Sequence, residues 1–161
     1  MNTSIIVKRH AFTMIELVFV IVVIGILAAV AIPKFAATRD DAQIAKGRSD
    51  VAAIRAAIVS ERQTRLLQGS SIFINKLHSS STSLFDGNGS STLLQYGIAV
   101  GNSNGHWNSP TTAGTSPTAT ATYTYTVAGK NVLFTYTQSN GTFDCNRTNA
   151  TYGAMCKMLV D

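Results

Sequence analysis

Histidine and acidic side chains are scarce in this chain: three histidines, and eight Asp plus Glu among 161 residues. His10, His78 and His106 show no metal-ligand spacing, and no Cys/His cluster accompanies them. No Ser/His/Asp order, paired-carboxylate site or phosphate-cradling glycine loop stands out, so an enzyme is the least favoured class and no cofactor is expected. The acidic spots are Asp40-Asp41 and Asp86-Gly87-Asn88. Even with Gly89 and Ser90, the second offers only a fragment of the oxygen ligands that a calcium loop needs. Charged residues make up 13% of the chain and the formal net charge is +5, a mild excess that by itself is no nucleic-acid signature. Low charge with abundant Ser and Thr suits an extracellular surface better than a cytosolic one. No internal repeat is present.

The shortage of charge is most pronounced near the N-terminus. Between residues 12 and 32 there is no basic residue and one acid, Glu16. Every residue from 17 to 32 is apolar or glycine, and Met14 and Ile15 extend the run on the other side of the acid. About 20 such residues cross a bilayer. A charge at the centre of such a helix costs roughly 2.5–3.5 kcal/mol, and less near its end. An acid kept there needs a partner, and the run offers no basic one. Lys8 and Arg9 precede it.

The tract Ala11-Phe12-Thr13-Met14-Ile15-Glu16 resembles the prepilin peptidase site of type IV pilins and type II secretion pseudopilins. The resemblance runs from about Lys8 to Phe35 and fades beyond. It implies a leader of residues 1–11 cut between Ala11 and Phe12, N-methylation of the new amine, and Glu16 as fifth residue of the mature chain. Ala11 stands where the family more often has Gly. Gly25 and Pro33 fall where it often has a Gly and a Pro. The implied partners are a prepilin peptidase, like subunits in a fibre, an inner-membrane assembly platform with its ATPase, and membrane lipid. Glu16 would offset the terminal amine of a neighbouring subunit. The machine would be a type IV pilus, a type II secretion pseudopilus or a DNA-uptake apparatus. The alternative class is a membrane-anchored or fibre-tip binding module that does not polymerise.

Two other readings fit parts of the leader. A conventional secretory signal would end at Ala29-Val30-Ala31, but its apolar core is usually ~7–15 residues and carries no acid. A plain single-pass anchor fits the span. Neither accounts for Phe-Thr-Met-Ile-Glu directly after a small residue.

Lys8 and Arg9 should stay cytoplasmic by the positive-inside bias, which places a single-pass chain in the inner membrane with its C-terminal part in the periplasm or on a fibre. Losing them with the leader lowers the net charge by two, to +3. Cys145 and Cys156 would then lie in an oxidising compartment as a disulfide. Closing so short a loop contributes roughly 3 kcal/mol in the chain-entropy model. Many type IV pilins have such a C-terminal loop and major pseudopilins often lack it, whereas the helix from Ile32 to Ile54 looks more like pseudopilins.

The expected fold is α+β and pilin-like: a long N-terminal helix packed on a small C-terminal antiparallel sheet. Its parts are residues 1–11 (leader), 12–33 (membrane and assembly half of the helix), 34–68 (amphipathic half) and 69–161 (β-rich exported domain). The helix of residues 12–67 would be about 80 Å long. In its second half Ile44, Val51 and Ile58 recur seven apart, with Ile54 and Ala45 beside them, while charged residues including Glu61 lie largely on other faces. This predicts packing of helix on sheet rather than a coiled coil. Pro33, Gly25 and Gly47 read as points where the helix bends or weakens. Segments 72–74 and 93–100 are short strand candidates, and 121–128 with 132–137 alternate as a β-hairpin about Gly129-Lys130. Residues 79–83, 86–91 and 101–120 read as loops, with Trp107 as a loop anchor. Four N-x-Ser/Thr matches occur, at Asn88, Asn140, Asn146 and Asn149. Asn88 and Asn146 also have an acid two residues earlier, resembling the extended bacterial glycosylation sequon, and the Gly-flanked Asn88 is the favoured acceptor.

Overall fold

A computed structural model describes residues 12–109 and 120–161. The chain divides into two compact units, one ending at Arg39 and the other spanning Asp40–Asp161. Helix α1, Met14–Leu67, contributes to both. It closes with paired C-terminal bonds: Gly69 N–H donates to Leu66 O (3.1 Å) and Ser70 N–H to Arg65 O (2.9 Å). Gly69 has φ +84°, the left-handed value this motif requires and glycine adopts without strain.

The second unit is α+β. Two short strands, β1 (Ser83–Leu84) and β2 (Ile98–Ala99), pair antiparallel. A four-stranded antiparallel sheet has the order β3 (His106–Asn108), β4 (Thr120–Val127), β5 (Lys130–Thr137) and β6 (Thr142–Cys145). The helix α2, Gly153–Val160, follows. β4 and β5 are the expected hairpin. Their turn is Ala128-Gly129, with φ +49° and +70°, the positive pair that lets a two-residue connection follow the strand twist.

Alternation decides which face is inside. Ala121, Tyr123, Tyr125 and Val127 on β4, with Val132, Phe134 and Tyr136 on β5, are buried, and the threonines between them face outward. Val51, Ile54 and Ile58 of α1 join the same core, as the seven-residue spacing predicts, with Ile44 partly buried against it. Ala45 is exposed. Polar bonds fix the helix face. Trp107 Nε1–H donates to Asp50 Oδ2 (3.0 Å), Tyr125 OH to Gln43 O (2.7 Å) and Lys46 Nζ to Gly105 O (2.7 Å).

Several elements differ from the sequence expectation. Segment 72–74 is irregular rather than a strand. Its carbonyls take side-chain donors instead of a neighbouring backbone: Tyr136 OH to Ile74 O (2.6 Å) and Gln138 Nε2 to Phe73 O (3.2 Å). Within 93–100 only β2 is a strand. Trp107 is a fully buried residue of strand β3 rather than part of a loop. Glu61 is buried, and is tolerated because Arg65, one turn on, donates to it through Nε at 2.8 Å.

Gly47 has a packing role rather than a flexing one. A Cβ there would strike the Tyr125 ring and lie 2.7 Å from Leu159 Cδ2. Alanine gains up to about 1 kcal/mol in helix propensity over glycine, but overpacking a core costs about 1–3 kcal/mol. Gly47→Ala should therefore lower the denaturation midpoint of the purified protein. An unchanged or raised midpoint would contradict this packing.

His78 is buried, with Nδ1 2.9 Å from Tyr123 OH. Burial lowers its pKa from the usual 6.5, and the Asp86 carboxylate offsets part of that effect. The unfolded chain therefore binds this proton more readily than the folded one. The associated stability is complete above the ordinary histidine value and drains away as pH falls through the lower folded value. Melting temperature should drop on acidification, and His78→Gln should flatten the drop. An identical pH profile in the variant would show that another group carries it.

Candidate assembly site

Ala11 lies outside the described residues. Phe12, on the other side of the expected cut, is exposed. Thr13 comes just before α1 and holds Glu16. Its N–H donates to Glu16 Oε2 at 2.9 Å, and its hydroxyl donates to the same oxygen at 2.7 Å. In return Glu16 N–H donates to Thr13 Oγ1 at 3.3 Å. The first N–H groups of a helix have no intrahelical acceptor, and a Thr-x-x-Glu capping box satisfies two of them reciprocally. A carboxylate is also favoured by the positive end of the helix dipole. Glu16 thus has a local, uncharged partner, which a search for basic residues overlooks. The signal in sequence is the three-residue spacing of Thr13 and Glu16 before an apolar run. Among the described residues, Glu16 Oε1 has no partner.

The segment that follows, Met14–Ile32, has a mean hydropathy of 3.1 over a window none of which is buried. It is a helix long and apolar enough to cross a membrane. An apolar surface this continuous marks a lipid or protein contact. Gly25 lies in its middle, and a Cβ there would meet nothing within 4 Å. In contrast to Gly47, no packing among the described residues demands that glycine. Pro33 lies within α1, just past the apolar segment.

The two cysteines form a disulfide, with Cα atoms 5.9 Å apart. It ties β6 to α2. Arginines of α1 hold the same region: Arg48 Nη2 donates to Met158 O (2.7 Å) and Arg55 Nε to Phe143 O (2.9 Å). Asp144 bridges Arg55 Nη2 (3.1 Å) and Arg147 Nη1 (3.0 Å). Partly exposed ion pairs of this kind are each worth about 1 kcal/mol at most, so they set position more than stability.

The two favoured sequon asparagines differ. Asn88 is half-buried, its Oδ1 accepts from Ser90 N–H (3.1 Å) and Ser91 N–H (2.8 Å), and its Nδ2 donates to Asn75 Oδ1 (3.1 Å). Asn146 is exposed. Its Oδ1 accepts from Thr148 N–H (2.9 Å) and from the Thr148 hydroxyl (2.8 Å), and its Nδ2 has no partner among the described residues. His106 is an exposed residue of β3, with Nδ1 3.0 Å from Ser103 Oγ. Among the described residues no three His, Cys, Asp or Glu side chains group so as to hold a metal ion. Phe12, Glu16, Gly25 and Pro33, expected to serve processing, assembly and bending, thus share one segment of chain, while Cys145, Cys156, Asn88 and Asn146 belong to the second unit.

Comparison with known proteins agrees with the N-terminal geometry. Residues 6–32 match the family model described as the prokaryotic N-terminal methylation motif. The type IV narrow pilus major component PilA5 of Thermus thermophilus is 46% identical over 50 residues, 31% of this chain and 43% of that protein. The type II secretion system core protein G of Pseudomonas aeruginosa is 37% identical over 51 residues, 32% of this chain and 36% of that protein. The chain thus spans about two-fifths of the length of the curated relatives it matches. No solved structure matches it significantly. Residues 6–32 of this chain thus carry the prokaryotic N-terminal methylation motif, and over about a third of its length the chain is similar to a type IV pilus component and to a type II secretion core protein.

Proposed function

We propose that this protein is a structural subunit of a type IV pilus or type II secretion pseudopilus, assembling through residues 12–33 once a prepilin peptidase has removed residues 1–11. One observation carries the reading: the methylation motif at 6–32 coincides with an apolar helix, Met14–Ile32, that none of the described residues buries. Such a helix rests in lipid before assembly and against its neighbours afterwards. Lys8 and Arg9 hold the leader in the cytoplasm, so the disulfide-bonded unit is exported. An inner-membrane platform and an ATPase extract the subunit.

Cleavage between Ala11 and Phe12 creates an amine at Phe12. Glu16 keeps one carboxylate oxygen in its cap and leaves Oε1 for an amine from a neighbouring subunit. Opposite charges attract strongly where water is excluded, and an unpaired buried charge is heavily penalised, so this one pair sets the register between subunits. Packing of residues 17–32 supplies cohesion, and Gly25 permits close helix approach. Asn146, exposed with an unoccupied Nδ2, is a better glycan acceptor than Asn88.

Mass spectrometry of protein purified from its native host tests processing and modification together. The mature chain should begin at methylated Phe12, and any glycan should sit on the peptide containing Asn146 rather than Asn88. A chain beginning at Ile32, or one retaining Met1, would overturn the assignment.

Glu16 has two roles that substitution separates. Glu16→Val removes both charge and cap, makes the segment more apolar and leaves membrane insertion intact. Glu16→Gln keeps a capping acceptor and removes only the charge. Both variants should be processed and inserted yet form few or no fibres when counted by electron microscopy. Normal fibres from Glu16→Gln would show that the cap alone matters and end the charge-pair reading.

A further inference from the structure

The four-stranded sheet turns a second face to solvent, and that face carries a cleft. Its volume is about 340 Å³, and it is lined by Asn102, Asn108, Thr124, Thr126 and Asn131. Strand register explains the grouping. Asn108 pairs with Thr124, and Thr126 with Asn131, so four of the five side chains are neighbours on adjacent strands. Asn102 joins them from the loop before β3.

Two internal hydrogen bonds orient the lining. Asn108 Nδ2 donates to Asn102 Oδ1, and the Thr126 hydroxyl donates to Asn131 Oδ1 at 2.9 Å. Among the described residues this leaves Asn102 Nδ2 and Asn131 Nδ2 as donors and Asn108 Oδ1 as an acceptor. The Thr124 hydroxyl can serve as either. Among the described residues no ionisable side chain lines the cleft.

The chemistry of this lining selects a ligand class. Phosphates, carboxylates and nucleic-acid backbones are recognised by Lys and Arg, and cations by carboxylates; the cleft presents neither. An apolar ligand needs a largely apolar wall, which carboxamides and hydroxyls do not form. A sugar hydroxyl both donates and accepts, and a carboxamide holds a donor and an acceptor side by side to match it. Leu133, cross-strand from Thr124 and partly exposed, offers an apolar edge for the C–H face of a ring.

We propose that this cleft binds a neutral, hydroxyl-rich sugar unit through Asn102, Asn108, Thr124 and Asn131. A shallow site of this kind binds weakly on its own. In a fibre, repetition of the site along its length raises the effective affinity by avidity. That last step rests on the proposed function; binding by one chain does not.

The test is a titration of the full-length protein by NMR, in micelles of a zwitterionic detergent without a sugar headgroup. The probes are methyl glycosides of neutral hexoses, the matching neutral oligosaccharides, and their sialylated and sulfated counterparts. Amide shifts at Asn108, Thr124 and Asn131 are expected with neutral probes, and methyl glycosides equal to oligosaccharides would mean a free sugar rather than a polymer. Thr124→Val, which keeps the β-branched shape, and Asn131→Leu should each weaken binding at least tenfold without lowering the melting temperature. Absence of binding by every neutral probe, binding of charged probes alone, or unchanged affinity in both variants would each overturn the proposal. Failure here with normal fibre assembly would leave the proposed function untouched, and the reverse outcome would do the opposite.

Discussion

An apolar helix of nineteen residues that no other described residue buries, with a single carboxylate in its first turn, is the constraint to which everything else in this protein answers. In water that surface would aggregate; in lipid it is stable, and the carboxylate is the liability. The Thr13–Glu16 capping box lowers that liability by giving one oxygen two donors and giving two orphan N–H groups an acceptor. The remaining oxygen stays available, and in a low-dielectric setting an unpaired oxygen of that kind draws a cation more strongly than any surface charge could. The cap thus fixes the orientation of the carboxylate at the head of the helix.

The second unit, Asp40–Asp161, answers a different requirement. It has to be folded without help from the apolar segment, and it has little charge with which to build surface networks. Its core is aromatic: Trp107, Tyr123, Tyr125, Phe134 and Phe143 are all buried together, with Phe134 and Phe143 stacked at 5.2 Å. Rings bring much apolar area per residue, and edge-to-face and offset contacts add to it. The tyrosine hydroxyls find backbone carbonyls, and burial pushes Tyr125 and Tyr136 up to about 12, so they remain neutral donors at any physiological pH. The disulfide and the α1 arginines then hold a C-terminal segment whose own helix, eight residues long, is too short to be stable alone.

Glycine illustrates how differently one residue type is used. Gly69 supplies a left-handed backbone at the end of α1, Gly47 makes room for Tyr125, and Gly25 is needed neither by its backbone conformation nor by packing among the described residues. All three look alike in sequence.

Patterns short in range were legible from the sequence alone. The apolar run, the methylation motif, the helix through Leu67 and the β4–β5 hairpin follow from hydropathy, motif and strict alternation, which act on neighbours in the chain. The Thr13–Glu16 box was legible by the same rule, though a search for a charged partner passes over it. The tertiary structure decided what depends on distant residues. It placed Trp107 on a buried strand because Asp50 receives its indole N–H, denied segment 72–74 a strand because Tyr136 and Gln138 take its carbonyls, and buried Glu61 beside Arg65. It also gathered Asn102, Asn108, Thr124, Thr126 and Asn131 into one cleft. Strand register brings Asn108, Thr124, Thr126 and Asn131 together across 23 positions of chain (131 − 108), and register is settled by which faces can be buried, a property of the whole sheet rather than of any one stretch of sequence.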